Sequence, residues 1–183
     1  MPTPVAHSLA GGIIYILQPQ DIPKSWKYFL AGILFFIFYS NLPDLDFLPG
    51  IWCGSMNKYH HGFTHSICFL LCVALLTGIA GKYTFRMSFW RVVMVSFLLL
   101  ELHLFMDYMT GDNKAPYGVM LFWPFSHTYY ISPLSLFPAF PQRTCLMDLF
   151  KLVNMKAYVY EIEVMLPLFL LVLIYRYKKY RMR

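Results

Sequence analysis

The stretch MSFWRVVMVSFLLLELHLFMDYM, residues 87–109, decides the fold. At about 1.5 Å per helical residue it is long enough to cross the ~30 Å hydrocarbon core of a bilayer. It is mostly apolar, with Arg91 near its start and Glu101, His103 and Asp107 toward its end. His103 and Asp107 stand four residues apart, on one face of a helix. An apolar helix therefore carries two metal-ligating side chains at a single end. Glu101, two residues before His103, faces another side and is expected to partner a buried polar group rather than to ligate.

Working outward, four more segments read as membrane helices. A short one covers Val5–Leu17 and contains the pair Gly11-Gly12; Tyr28–Pro43 and Ser66–Gly81 are uncharged; Val164–Tyr175 runs into a basic tail. Their uncharged cores fall short of the ~20 residues that a span prefers, but flanking Tyr, Trp, Lys and Arg extend them by snorkelling. Composition agrees. Of the 183 residues 58% are hydrophobic and only 13% charged, against roughly 25% charged in soluble domains. The expectation is an all-α, polytopic membrane bundle of about 4–5 membrane helices, forming one domain over residues 1–183. The connection Thr110–Glu161 holds Pro116, Pro124, Pro133, Pro138 and Pro141 among many aromatics. Prolines break helices, and such apolarity argues against disorder, so the segment is expected to form a Pro- and aromatic-rich interfacial cap.

The net charge of +6 is concentrated at the segment ends: Lys24 and Lys27; Lys82, Arg86 and Arg91; and Arg176, Lys178, Lys179, Arg181 and Arg183. That placement favours membrane topology over nucleic-acid binding. With these clusters in the cytoplasm the helices alternate in direction. The C-terminus is then cytoplasmic, and every candidate ligand lies at the extracytoplasmic ends in the cytoplasmic (inner) membrane. No cleavable signal peptide is expected, because the N-terminus lacks a basic region and its first apolar stretch contains His7. Among the cysteines, Cys68 and Cys72 read as packing residues, and Cys53 and Cys145 would pair only on an oxidising side. The absence of a CxxC pair argues against a thiolate zinc site.

The chemistry lies in His7, in Asp44 and Asp46 of NLPDLDF, in His60, His61 and His65 of HHGFTHS, and in His103 and Asp107 of HLFMD. Neutral imidazoles and carboxylates that converge from several elements suit a metal site. Each residue alone has a plain structural reading. Histidines in apolar helices are usually core residues, Asp44 can mark a turn after Pro43, and Thr64 or Ser66 can cap a helix. Ionisable groups at membrane depth are costly, however, and mark function; here they gather at the same ends of several segments. Trp123 and Phe125 of FWPFS suit an interfacial anchor, and His127 reads equally as a proton donor or a surface residue.

HSLAGG, NLPDLDF, HHGFTHS, HLFMD and FWPFS, in that order over residues 7–126, resemble the YdjM-type membrane-bound metal-dependent hydrolase family. More distantly, they are similar to the zinc-dependent phospholipase C and single-strand nuclease superfamily. The resemblance implies a helical site with two or three zinc ions, phosphoester hydrolysis, and the ligands His7, Asp44, Asp46, His60, His65, His103 and Asp107. Manganese or iron would also accept mixed His/Asp ligation. In that family an arginine often follows the first histidine of HxGxTHS, and here the position is His61. His61 is open to three roles: binding substrate, acting as general acid, or ligating. With His61 and Asp46 as the candidate catalytic pair, the expected activity is hydrolysis of a lipid or isoprenoid phosphoester at the membrane face. The competing expectation is a metal-stabilised membrane protein or a small cation transporter.

Overall fold

Short caps and long apolar runs set the elements. The computed structural model describes residues 2–18, 25–54, 58–113, 115, 117–140 and 146–181. Helix α1 (Pro4–Leu17) begins at Thr3, whose side chain accepts from the Val5 amide, with Pro4 in the first turn where a missing N–H costs nothing. Helix α2 (Trp26–Ser40) leads into a 3₁₀ turn at Leu42–Asp46 and the short α3 (Phe47–Trp52). The chain bends there by 56°. A 3₁₀ turn at Phe63–His65 precedes α4 (Ile67–Phe85), capped by Ser66, whose hydroxyl accepts from the Phe69 amide. Helix α5 (Phe89–Tyr108) returns antiparallel to α4 after a tight turn with Arg86 at φ 54°. A 3₁₀ turn at Leu146–Phe150 leads into α6 (Leu152–Arg181).

The described residues contain no strand, only isolated bridges at Thr110–Phe137 and Val119–Tyr130. Helices α4, α5 and α6 are long and apolar enough to cross a membrane, and α2 with α3 makes a fourth span if the bent pair is one crossing. Helix α1, at 14 residues, spans only about 21 Å. The fold is therefore all-helical with three or four candidate spans, and α1 is an apolar helix packed inside the bundle, since Ala6, Ala10, Gly11, Gly12, Ile13 and Ile16 are buried. Two apolar clusters hold the bundle. One joins Ala6, Ala10 and Ile13 of α1 to Met106, Phe137 and Met165; the other joins Tyr39, Leu70, Leu99, Leu100, Leu104 and Val119.

Gly11 is needed where it stands. A Cβ there would lie 2.6 Å from Ser40 Oγ and 2.7 Å from the Phe36 carbonyl, so α1 and α2 could not approach as closely with any other residue.

Two expectations need correcting. Helix α6 begins at Leu152, not Val164, because Lys156, Glu161 and Glu163 are carried in its first turns, with Glu161 buried by bonds to Thr3; the irregular cap thus ends before residue 152. Pro167 lies inside α6, within the Val164–Tyr175 run expected to be helical, and the prolines of the cap all precede α6. Cys72 is exposed on the outer face of α4 and Cys68 is half-buried, so Cys72 is not a core packing residue. Lys24, Cys145, Pro116, Pro141 and Arg183 lie outside the described residues; Cys53 is exposed and forms no disulfide among the described residues.

Candidate metal centre

Four elements converge at one end of the bundle. Helix α1 brings His7, the 3₁₀ turn after α2 brings Asp44 and Asp46, the loop before α4 brings His60, His61 and His65, and the last turns of α5 bring His103 and Asp107. All eight are buried. The basic residues Lys27, Lys82, Arg86 and Arg91 stand at the opposite helix ends. Ile67 and Lys82, the near and far ends of α4, are about 23 Å apart by helical rise.

The i, i+4 spacing of His103 and Asp107 puts Nε2 of one 3.1 Å from Oδ2 of the other. His65 Nε2 lies 3.3 Å from the same oxygen, 3.5 Å from Asp44 Oδ1 and 3.3 Å from His103 Nε2. His103 Nε2 is 3.5 Å from Asp44 Oδ1. Asp44, His65, His103 and Asp107 thus offer four ligand atoms within 4.8 Å of one another, and two neighbouring groups, Asp44–Asp46–His60 and His60–His61–His65, offer three each. Asp44, His60 and His65 each belong to two of these groups. His7 stacks on His103 with ring centroids 3.8 Å apart, and its Nε2 lies 3.6 Å from Asp107 Oδ1.

Backbone carbonyls orient the imidazoles. His103 Nδ1 is 2.8 Å from the Ser40 carbonyl, and His61 Nδ1 is 2.9 Å from the Gly118 carbonyl. A carbonyl only accepts, so each Nδ1 donates, and each neutral ring presents Nε2 as an acceptor. At His103 that acceptor faces carboxylate oxygens. Neither oxygen of Asp44 or Asp107 and neither ring nitrogen of His7 has a hydrogen-bond donor among the described residues. Buried acceptors facing acceptors are costly unless a cation sits among them. The donor set, imidazole nitrogens with carboxylates, is what a divalent transition metal takes. The residues therefore fit a metal centre.

Asp46 has a different part. Its Oδ1 lies 2.7 Å from His60 Nδ1; its Oδ2 accepts from Thr64 Oγ1 at 2.7 Å and the His61 amide at 3.2 Å, and lies 3.2 Å from His65 Nδ1. A carboxylate behind a histidine fixes the ring and directs its other nitrogen inward. Burial alone would push His65 down, but Asp46, Asp107 and Asp44 around it raise it well above its ordinary value; the pocket favours positive charge. His61 adopts φ 63°, a left-handed conformation uncommon for a residue with a side chain. HHGFTHS is thus a tight turn, and the four-residue spacing of His61 and His65 does not correspond to one face of a regular helix. Gly118, at φ 88°, is the cap residue that receives His61, and the Met120 amide bonds the His61 carbonyl at 3.3 Å.

Ser40 and Gly118 build the site from outside every motif, and Thr64 builds it from inside HHGFTHS by bonding Asp46 rather than by capping a helix. The partner expected for Glu101 is not found: its buried Oε1 has no hydrogen bond among the described residues. His127 is exposed, Phe125 is 88% exposed, and Trp123 packs against Phe63 at 5.4 Å.

No solved structure matches the chain. Inner membrane protein YbcI of Escherichia coli (strain K12) is 30% identical over 145 residues, covering 77% of this chain and 78% of that protein. The YdjM inner membrane protein family matches residues 1–181, a range that takes in His7, the Asp44/Asp46 turn, the histidine loop and the His103/Asp107 helix, and the chain belongs to that family.

Proposed function

We propose that the chain is a metal-dependent hydrolase embedded in the inner membrane, acting on the phosphoester of a lipid-like substrate. The observation that carries this is the convergence of buried ligand atoms on Asp44, His65, His103 and Asp107 within 4.8 Å of one another, with no hydrogen-bond partner for either oxygen of Asp44 or Asp107 among the described residues. His65, His103, Asp44 and Asp107 would hold one ion, with His7 beside them. Asp44 and His60, with Asp46 behind or in contact, would hold another. Ions so placed supply Lewis acidity, a water acidified toward neutral pH, and neutralisation of phosphoryl charge; zinc heads the candidates, with manganese or iron accepted by the same donors.

The protein's own part follows from its geometry. Asp46 and Thr64 hold the His60–His65 turn, while Ser40 and Gly118 fix the ring orientations of His103 and His61. Hydrolysis puts a water oxygen on phosphorus and breaks the bond to the leaving oxygen, which departs protonated. His61, whose Nδ1–H goes to the Gly118 carbonyl, would take a proton on Nε2 as the attacking water is deprotonated and then give it to the leaving oxygen; that Nε2 lies 3.9 Å from Asp107 Oδ2 at the edge of the cluster. A histidine there also replaces the arginine of related motifs as a contact for phosphate. The lipid or isoprenoid class of substrate rests on the site's position at the ends of apolar helices, and the extracytoplasmic side rests on the basic residues at the opposite ends.

The test is a phosphoester panel, from chromogenic phosphodiesters to phospholipids and isoprenyl phosphates, on purified protein loaded with zinc or manganese. Turnover that His103→Ala and Asp44→Asn remove, while both variants stay inserted and folded, supports the reading. A metal-loaded protein that turns over nothing and passes divalent cations in liposomes is instead the cation transporter. One that does neither is a metal-stabilised scaffold.

A further inference from the structure

Glu161 plays no part in the metal centre, yet it is wholly buried in α6. A carboxyl group at that depth is costly unless its oxygens are bonded. Both are bonded to one residue: Oε1 accepts from the Thr3 amide at 2.7 Å and Oε2 from the Thr3 hydroxyl at 2.5 Å, across 158 positions of sequence. Thr3 in turn caps α1, its Oγ1 accepting from the Val5 amide at 3.2 Å. Glu161 therefore grips the residue from which α1 starts.

His7 lies one turn further along. Neither of its ring nitrogens has a hydrogen-bond partner among the described residues, so no bond orients the imidazole as Ser40 orients His103. Its position comes from the α1 backbone, tied by Ser40 Oγ to the His7 carbonyl at 2.8 Å and by Glu161 at the cap. Apolar packing secures only one side. Ala6, Ala10 and Ile13 pack with Met165. On the other side Pro4, Val5, Ser8 and Leu9 line an open apolar cleft of about 460 Å³ with Ile162 and Leu166.

We propose that Glu161 is a positioning residue for the metal centre: by holding both the amide and the hydroxyl of Thr3 it seats the first turns of α1 and so sets His7 over His103 and beside Asp107. This rests on the metal-centre reading above, and it adds a part of the chain that no ligand motif contains.

The test has two arms on the full-length protein in detergent. The first is zinc affinity for wild type, Glu161→Ala, His7→Ala and the double variant. Loss of a residue that supports a ligand weakens binding by about 10–100-fold; Glu161→Ala should do so, and should add nothing in the His7→Ala background. An undiminished loss in that background overturns the proposal. The second arm is hydrogen exchange of residues 4–9 in metal-free protein, which Glu161→Ala should speed while leaving α5 unchanged. Unchanged exchange there overturns the proposal whatever zinc does. Wild type that binds no zinc defeats the metal reading instead, and the exchange arm still decides whether Glu161 seats α1. Glu161→Gln, which keeps one acceptor oxygen and leaves the Thr3 cap on Val5 intact, carries both comparisons with the same expected direction should Glu161→Ala fail to assemble. Thr3→Ser, which keeps both donors, should behave as wild type.

Discussion

At the scale of the residue, the centre depends on which nitrogen each imidazole presents. His103 donates Nδ1 to the Ser40 carbonyl and turns Nε2 toward Asp44 and Asp107. His103→Ala should therefore cost the protein its metal and, with it, roughly a thousandfold or more of any hydrolysis, while His127→Ala, on an exposed loop residue, should leave both unchanged. Metal content and turnover of the two variants, prepared alike, check this. His61→Arg discriminates among that residue's roles. Arginine grips phosphate in two-pronged fashion, so activity should survive if His61 only contacts substrate and vanish if its Nε2 gives up a proton. The residues that converge were legible in the sequence, because His103 and Asp107 declare themselves by an i, i+4 spacing in an apolar run. Ser40, Gly118 and Thr64 were not. Two of them act through a main-chain carbonyl, which every residue type possesses, and a hydroxyl next to His65 has a simpler reading as a helix cap.

Elements bring those residues together, and their contact depends on a few small side chains. Gly11 lets α1 lie against Ser40 and Phe36 of α2, and through that contact the Ser40 hydroxyl reaches the His7 carbonyl. Gly11→Val should force the helices apart, destabilise the protein by about 1–3 kcal/mol and weaken metal binding; thermal unfolding of the detergent-purified variant, with and without zinc, measures both. An unchanged midpoint would show that the α1–α2 contact is not needed. Helices α2 and α4 were legible to within a few residues because uncharged runs bounded by Lys, Arg or Pro announce them, and α5 because its apolar run is long enough to override three charges. Helix α6 was not, since Glu161 in its third turn looks like a loop residue until Thr3, at the far end of the chain, is seen to neutralise its cost. The bend between α2 and α3 escaped for a related reason: Pro43 suggests an end, and nothing local says that the chain resumes as a helix at Phe47.

The molecule as a whole is a bundle with unlike ends. Its sides are apolar and exposed, through Leu34, Phe35 and Phe38 on α2, Leu76 and Ile79 on α4, Met94 and Leu98 on α5, and Leu168, Leu171 and Ile174 on α6. One end carries exposed Trp26, Tyr28, Tyr83, Phe85 and Trp90 beside the basic residues; the other carries exposed Trp52, Phe63 and Phe125 around the His/Asp cluster. Aromatic rings at both ends of apolar helices suit the two interfaces of a bilayer. If the basic end is cytoplasmic, Cys53, exposed at the cluster end, should react with an impermeant thiol reagent in intact cells once the other cysteines are replaced. Lys82→Cys in a cysteine-free background should react only after the cells are permeabilised. The reverse pattern would place the cluster in the cytoplasm. Elemental analysis of the detergent-purified chain decides whether the His/Asp cluster binds metal. About two transition-metal ions per chain are expected, as in paired-ion hydrolytic sites, with Asp107→Ala losing most of them. A wild-type protein that carries none, and takes up none from zinc or manganese, would contradict the metal reading.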